Sequence, residues 1–323
     1  MEQIFNINTG KEFKETALQI FYYQAKNNIV YKQYLEYLAV NPSEISEINK
    51  IPFLPIDFFK YHKVISSTKK EEKVFKSSGT SLDIRSHHFI TELKLYEQSF
   101  NTAFKNFYGN IEDFRILGLL PSYVENGNSS LVYMVENFIK QSNHHESGLY
   151  LNNYDELLNV ISKLENDNKK YLIIGVSYAL LDLAEKNKQQ LKNAIIMETG
   201  GMKGRRKELP KEELHKILSE NFGVKTIHSE YGMTELLSQA YSFGKGEFNS
   251  PAWMKILIRD IYDPFTFLQD GKSGGINIID LANINSCSFI ETKDLGRINK
   301  NGTFSVLGRF DNSDIRGCNL LVE

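Results

Sequence analysis

The chain has 323 residues, 41% of them hydrophobic, so it is long enough to bury a large core in one domain or two. Its formal net charge of −2 excludes a general electrostatic attraction to nucleic acid or to an anionic membrane. The two cysteines exclude a disulfide framework and a four-thiolate zinc site, and they indicate a reducing, cytoplasmic location.

The N-terminal stretch has the pattern of a packed scaffold. It lacks the basic region and long apolar core of a signal peptide, and the chain has no stretch apolar enough to span a bilayer. Apolar residues at three- and four-residue spacings between Gly10 and Ala39 predict two helices that are broken near Asn27-Asn28. Two prolines in the apolar stretch Ile51–Lys60 forbid a long helix, so we expect an extended connector there.

A hydroxyl-rich loop, Ser77-Ser78-Gly79-Thr80-Ser81, follows a short strand candidate. Hydroxyl groups and exposed backbone N–H groups around a glycine can donate several hydrogen bonds to phosphate oxygens. Serine-rich loops are also common as polar linkers, so the stretch alone leaves both interpretations open.

From Phe114 onward, strand and helix patterns alternate. The predicted strands are Phe114–Leu120, Tyr171–Val176, Ala194–Met197 and Val224–His228. The predicted helices between them are Ser130–Gln141, Asp155–Glu165, Tyr178–Lys188 and Lys211–Asn221. This alternation predicts an α/β fold with a parallel sheet covered by helices, in which ligands bind beyond the carboxyl ends of the strands.

Two of those strand ends carry groups that suit a ligand: Glu198-Thr199-Gly200-Gly201 and Tyr231-Gly232-Met233-Thr234-Glu235. The second predicts a strand, a glycine turn and a helix that starts near Leu236. Its aromatic ring suits stacking on a base, and its hydroxyl and carboxylate oxygens suit hydrated Mg²⁺. Taken alone, a Tyr-Gly turn is more often only a turn.

Beyond Pro251 the helix signal fades and shorter strands are predicted. They are Met254–Ile258, Gly275–Ile279, Ser288–Glu291 and the pair that flanks Asn301-Gly302, a hairpin turn signal. We therefore expect a core of residues 1–250 and a small C-terminal β subdomain of residues 251–323 packed on its sheet.

The order of several stretches resembles that of the adenylate-forming (ANL) superfamily. These stretches are the Ser77–Ser81 loop, Gly200-Gly201, Tyr231–Glu235, and Lys293-Asp294-Leu295-Gly296 followed by Gly308-Arg309-Phe310-Asp311. This superfamily comprises acyl-CoA synthetases, peptide-synthetase adenylation domains and luciferases. Within it, Ile51–Lys60 and Met197–Lys207 look most like the acyl-protein synthetases of bacterial luminescence, which are LuxE-like, and phenylacetate–CoA ligase. The resemblance implies the large N-terminal domain of an adenylate-forming enzyme, with ATP and Mg²⁺ as cofactors.

The resemblance also implies a role for individual residues. It assigns the β- and γ-phosphates of ATP to Ser77, Ser78, Gly79, Thr80 and Ser81. Gly200 and Gly201 would let the backbone approach the adenine, and Tyr231, which precedes the turn at Gly232, would stack on it. Thr234 would contact the α-phosphate and Glu235 would hold Mg²⁺. Asp294 would accept hydrogen bonds from the ribose hydroxyls, with Arg309 in support.

Two departures from the superfamily pattern bear on the chemistry. Leu82–Arg85 replaces the usual glycine, proline and lysine, so Arg85 either supplies the missing charge or lies at the surface. Most members also carry a mobile C-terminal lid with a lysine, attached just after the position of Asp311. The chain ends at Glu323, twelve residues later, so we expect the lid to be absent. The basic residues Lys203, Arg205 and Arg206 either substitute for that lysine or form a solvated loop.

Cys318 stands in the region where the acyl-protein synthetases carry the cysteine that takes the acyl group. A thiol is intrinsically nucleophilic even when only a small fraction is thiolate, although free cysteines are also common as buried packing residues. We expect Cys287 to lie in the core. Adjacent histidines on a strand point to opposite faces, so the pairs His87-His88 and His144-His145 do not favour a zinc site.

The resemblance thus implies an acid–thiol ligase that activates a fatty or aryl acid as acyl-AMP and transfers the acyl group to a thiol. Cys318, an acyl reductase, a carrier protein and CoA are the candidate acceptors. A lid-less acyl-CoA or aryl-CoA ligase is one alternative. A non-catalytic nucleotide- or acyl-binding subunit of a partner complex is another.

Overall fold

The computed structural model describes residues 2–78, 84–121, 127–151, 153–186, 188, 190–201, 206 and 209–309. The α-helices are α1 (Gly10–Asn27), α2 (Ile29–Tyr37), α3 (Phe58–Tyr61), α4 (Leu93–Tyr108), α5 (Ser130–Ser142), α6 (Tyr154–Asn166), α7 (Ser177–Lys186) and α8 (Lys211–Phe222). The strands are β1 (Leu54–Pro55), β2 (Lys73–Lys76), β3 (His87–Ile90), β4 (Arg115–Leu119), β5 (Gly148–Leu149), β6 (Tyr171–Val176), β7 (Ala194–Thr199), β8 (His228–Tyr231), β9 (Ala240–Ser242), β10 (Glu247–Asn249), β11 (Met254–Arg259), β12 (Ser273–Asp280), β13 (Phe289–Ile298) and β14 (Phe304–Arg309).

The described residues form two compact units. Residues up to Thr68 and from Ala252 onward make the first unit, and Lys69–Pro251 make the second. The expected division at residue 250 joins the N-terminal helices to the α/β core, whereas these units join them to the C-terminal strands. Within the described residues, every helix is too short or too polar to cross a membrane.

The first unit is built on four antiparallel strands in the order β11, β12, β13 and β14. Strand β1 adds to β13 in parallel, with Leu54 opposite Ile290, so the predicted connector does contain an extended, buried segment. The turn between β13 and β14 contains Gly302 at φ +83°, a left-handed conformation that favours glycine. At the start of α1, Thr9 and Glu12 form a capping box that satisfies backbone N–H groups.

The predicted break between the two N-terminal helices is confirmed, and Asn28 explains it. Its side-chain Oδ1 accepts a hydrogen bond of 3.0 Å from Tyr31 N, which caps α2. Its Nδ2 donates to the Ser286 carbonyl at 2.9 Å, and the residue is fully buried. One asparagine therefore ends α1, begins α2 and fastens both helices to the segment before β13.

The second unit contains a sheet in the order β5, β4, β6, β7, β8, β9 and β10. The neighbours from β5 to β8 are parallel, and β9 and β10 are antiparallel additions. Helix α5 packs on β4, and α7 packs on β6 and β7. The predicted parallel sheet covered by helices is confirmed. Strand β6 has its predicted bounds, and the other predicted helices and strands up to α8 end within two residues of their expected positions.

Two predictions near the carboxyl edge are wrong. The apolar run Val224–His228 was expected to be the strand, but β8 starts at His228, where pairing with Met197 of β7 begins. The helix expected from Leu236 does not form, and the chain enters β9 instead. Residues 235–239 are all buried, whereas a surface helix would leave one face exposed. The interior position of this segment therefore overrides its helical propensity.

Candidate functional site

The carboxyl ends of β7 and β8 bring two of the predicted segments to one edge of the sheet. The two strands are parallel neighbours, so Gly200, which follows β7, and Gly232, which follows β8, leave the sheet on the same side. Both glycines are exposed, and Gly200 has φ +65°, so the backbone there is open to close approach. Tyr231, the last residue of β8, is 9% exposed, and its ring centroid lies 5.8 Å from that of Phe248.

The turn after β8 holds the predicted hydroxyl and carboxylate. Thr234 is half-buried, and Glu235 is only 5% exposed. The Thr234 carbonyl lies 2.7 Å from Nδ1 of His88, which belongs to β3. A side chain from the hairpin of β2 and β3 therefore contacts the backbone of this turn directly.

The hairpin of β2 and β3 carries the hydroxyl-rich loop. Ser77 closes it by donating its N–H to the Ser86 carbonyl at 3.1 Å and by accepting the Ser86 N–H on Oγ at 3.0 Å. Ser78 is exposed. Gly79, Thr80 and Ser81, which were predicted to bind phosphate, lie outside the described residues.

Glu198, at the end of β7, is the centre of a buried ionic cluster. It accepts a 2.7 Å hydrogen bond from Lys211 Nζ, and His215 Nε2 lies 3.4 Å away. Burial disfavours the charged carboxylate, but Lys211 and the hydrogen bonds outweigh burial and lower the pKa of Glu198 to about 2. The same Nζ lies 4.7 Å from the ring centroid of Phe248, the neighbour of Tyr231. Lys211 thus links Glu198 to the aromatic ring that neighbours Tyr231.

Glu230, on β8, joins the two strand ends. Its Oε2 accepts a short hydrogen bond from the Thr199 hydroxyl at the end of β7. A Cβ atom at Gly232 would collide with Glu230 Oε1, so any other residue there would displace this carboxyl group. Burial, with the nearby charge of Glu198 adding to it, raises the pKa of Glu230 to about 7. Two buried carboxyl groups at one sheet edge therefore have strongly separated pKa values.

Asp294 and Arg309, the predicted ribose-binding residues, lie in the first unit. They are opposite one another in the pairing of β13 with β14. Arg309 Nε is 3.9 Å from Asp294 Oδ1, and the arginine side chain is 67% exposed. The structure thus brings these two residues together, as an ion pair between an exposed arginine and a half-buried aspartate.

The structure also places several other residues that the sequence singled out. Cys287 is fully buried, as expected, and burial raises its pKa to about 12. The described residues contain no cluster of three metal-ligating side chains. Arg206 forms ion pairs with Asp182 and Glu185 on the surface of α7. Cys318, Lys203 and Arg205 lie outside the described residues.

Three contributors to this sheet edge were not predicted: His88, Lys211 and Glu230. Glu230 contacts Thr199, and Lys211 contacts Glu198. Neither residue is close to its partner in sequence, so neither forms a local motif with it. For His88 the sequence did contain a signal. Successive side chains of a strand point to opposite faces, so one histidine of the His87-His88 pair had to lie on the buried face.

The sequence matches the family described as Acyl-protein synthetase, LuxE, over residues 6–323. The chain belongs to the LuxE acyl-protein synthetase family. No curated protein matches this LuxE-family chain by sequence.

Several solved structures share its fold. ATP-bound MatB from Rhodopseudomonas palustris matches with a TM-score of 0.57 at 16% identity, over 76% of this chain and 49% of that chain. A 2-hydroxyisobutyryl-CoA ligase in complex with 2-HIB-AMP and CoA matches with a TM-score of 0.65 at 12% identity, over 94% and 70%. MenE from Bacillus subtilis in complex with AMP matches with a TM-score of 0.51 at 18% identity, over 77% and 51%. The chain spans about half the length of MatB.

The resemblance to the LuxE branch and the expected fold class are therefore confirmed. The family of this chain is that of the LuxE acyl-protein synthetases, and its fold is shared by the solved structures named above.

Proposed function

We propose that this LuxE-family chain uses ATP to activate a carboxylic acid as acyl-AMP and passes the acyl group to a thiol. The observation that carries the proposal is the meeting of Gly200 and Tyr231–Glu235 at the carboxyl ends of two parallel strands. Family membership supports it, and so do the ATP, AMP and acyl-adenylate complexes of ligases with this fold.

In this proposal the nucleotide is held by the strand ends. Tyr231 supplies a flat ring for stacking on adenine, and Gly200 and Gly201 let the backbone approach it. Thr234 donates its hydroxyl to the α-phosphate. The hydroxyl-rich loop, with Ser77, Ser78, Gly79, Thr80 and Ser81, binds the β- and γ-phosphates through hydroxyl and backbone N–H donors. Asp294 accepts hydrogen bonds from the ribose diol, with Arg309 at its side.

Glu235 fits the role of a Mg²⁺ ligand. Mg²⁺ prefers oxygen ligands and commonly takes one or two protein carboxylates together with water and substrate phosphates. The carboxylate of Glu235 and the hydroxyl of Thr234 are adjacent in the turn and provide such oxygens. Bound there with ATP, the ion would offset phosphate charge while an oxygen of the substrate carboxylate attacks the α-phosphorus.

We further propose Cys318 as the acyl acceptor. Its thiolate would attack the carbonyl carbon of acyl-AMP, forming a C–S bond, while the C–O bond to AMP breaks and AMP leaves. The thiol proton passes to solvent. The acyl group would then pass to a partner such as an acyl reductase or a carrier protein. CoA in place of Cys318 would make the chain a CoA ligase.

Acid-dependent exchange of labelled pyrophosphate into ATP tests the activation step across a panel of fatty and aryl acids. We expect exchange with at least one acid, and a loss of about 100-fold in Glu235→Gln, whereas Glu220→Gln on the exposed side of α8 retains activity. No exchange with any acid, with CoA or a candidate partner present, would count against both ligase hypotheses and favour a binding subunit.

Intact mass after incubation with ATP and the accepted acid tests the acceptor. We expect one acyl group per chain in the wild type and none in Cys318→Ala, with adenylate formation retained in both proteins. A mass gain that persists in Cys318→Ala would falsify the role of that cysteine, and CoA consumption without a mass gain would favour a CoA ligase.

A further inference from the structure

The hairpin of β2 and β3 presents one histidine to the interior and one to the outer side. In β3, Ser86, His88 and Ile90 are buried, whereas His87 and Phe89 are half-buried. This is the alternation that a strand with one covered face shows. The neighbouring histidines therefore have different surroundings on the same short strand.

His88 makes a contact that links two segments far apart in sequence. Its imidazole is fully buried, and Nδ1 lies 2.7 Å from the carbonyl oxygen of Thr234, 146 residues away. A carbonyl oxygen only accepts hydrogen bonds, so Nδ1 must carry the proton and donate it. The contact thus fixes both the orientation of the ring and the position of the Thr234 backbone.

The backbone around Thr234 needs such a donor. Residues 232–239 lie between β8 and β9 and form neither helix nor strand, so no regular ladder of hydrogen bonds sets their course. A buried carbonyl without a partner is costly, and the His88 donor satisfies the Thr234 carbonyl. At the same end of the β2–β3 hairpin, two residues before His88, Ser86 pairs with Ser77 where the chain enters the hydroxyl-rich loop.

We propose that His88 is a positioning residue that holds the Thr234–Glu235 turn at a set distance from Ser77 and Ser86, where the β2–β3 hairpin enters the hydroxyl-rich loop. The inference rests on the proposed function, because it assigns both segments to the same ATP molecule. His88 acts through the Thr234 backbone and touches neither substrate nor metal. Its role is to place the α-phosphate contact and the Mg²⁺ ligand relative to the loop that binds the outer phosphates.

Four substitutions separate the hydrogen bond from packing. His88→Leu removes the donor and replaces the imidazole with an apolar side chain of similar reach. His88→Asn retains an amide N–H donor one bond beyond Cγ, as Nδ1 is, whereas His88→Gln moves that donor one methylene farther out. His87→Leu is the matched control, because it makes the same change at the adjacent, half-buried position.

The kinetic readout is the KM for ATP·Mg²⁺ in acid-dependent pyrophosphate exchange. We expect a rise of about 10- to 100-fold in His88→Leu and His88→Gln, and changes within about threefold in His88→Asn and His87→Leu. If His88→Leu does not fold, the contrast between Asn and Gln decides. Equal KM values for Asn and Gln, or an unchanged KM in a folded His88→Leu, would overturn the inference.

A second readout does not depend on activity. Amide hydrogen exchange of the ligand-free protein should be about tenfold faster within residues 231–239 in His88→Leu, and unchanged there in His87→Leu and His88→Asn. If the wild type catalyses no pyrophosphate exchange but this local change occurs, the proposed function fails and the positioning contact stands. Unchanged amide exchange in 231–239 would overturn the contact whatever the activity.

Discussion

At the scale of single residues, two buried carboxyl groups with different partners lie where the parallel strands of the second unit end. Glu198 has a cation at 2.7 Å and stays ionised, while Glu230 has a hydroxyl donor and keeps its proton up to about pH 7. Pairs whose surroundings separate their pKa values are common at functional sites. Here, Glu198 lies on β7 and Glu230 on β8, next to the strand ends proposed to hold adenine.

Glu230 makes the stability of the fold depend on pH. The unfolded chain ionises this group near its ordinary pKa of 4.5, whereas the folded chain retains the proton up to a pKa of about 7. The free energy of unfolding therefore falls as pH rises between these values and levels off above them. Glu230→Gln removes that contribution, so its stability relative to wild type should rise by about 3 kcal/mol from pH 4.5 to 7.5.

Urea unfolding at several pH values measures this difference. Glu213→Gln, an exposed change on α8, serves as the control and should follow the wild-type curve. Parallel curves for Glu230→Gln and wild type across the range would show that Glu230 is not held protonated.

At the scale of secondary-structure elements, hydrophobic periodicity predicted the helices and strands whose burial is set by their own sequence. Strand β6 and helices α5 to α8 follow from alternating apolar runs and their flanking signals, because each buries one face or one complete strand. The start of β8 and the path of the chain after Leu236 could not be predicted in this way. Both depend on pairing with β7 and β9 and on complete burial of residues 235–239, which no local window contains.

The candidate site divides in the same way. Motifs with an internal order, such as Tyr231–Glu235, were visible in the sequence, and the resemblance assigned their roles. His88 and Lys211 were missed, because each meets its partner only through the fold: His88 with Thr234, and Lys211 with Glu198.

The junction of α1 and α2 offers a test at this scale. Asn28→Ala should lower the free energy of unfolding by about 2 kcal/mol, because it removes the cap of α2 and one of the two donors to the buried Ser286 carbonyl, the other being the Ser66 hydroxyl. Asn27→Ala, next in sequence but exposed, should cost less than about 1 kcal/mol. Chemical denaturation of both variants measures this, and equal losses would contradict the special role of Asn28.

At the scale of the whole molecule, the chain combines a first unit of N-terminal helices and antiparallel strands with a second unit of α/β structure. The first unit carries the Asp294–Arg309 pair, and the second carries the strand ends and the β2–β3 hairpin. A ligand that binds only the folded state raises its stability, so ATP·Mg²⁺ bound at these strand ends should stabilise the second unit.

The central claim is that a carboxylate oxygen attacks the α-phosphorus of ATP. Transfer of ¹⁸O from a carboxyl-labelled acid tests it most directly, with the phosphate products analysed by mass spectrometry after acyl transfer. We predict AMP that carries one ¹⁸O atom and pyrophosphate that carries none, because the bond between the acid oxygen and phosphorus survives when AMP leaves the acyl group. Unlabelled AMP, or ADP formed together with labelled inorganic phosphate, would contradict the account.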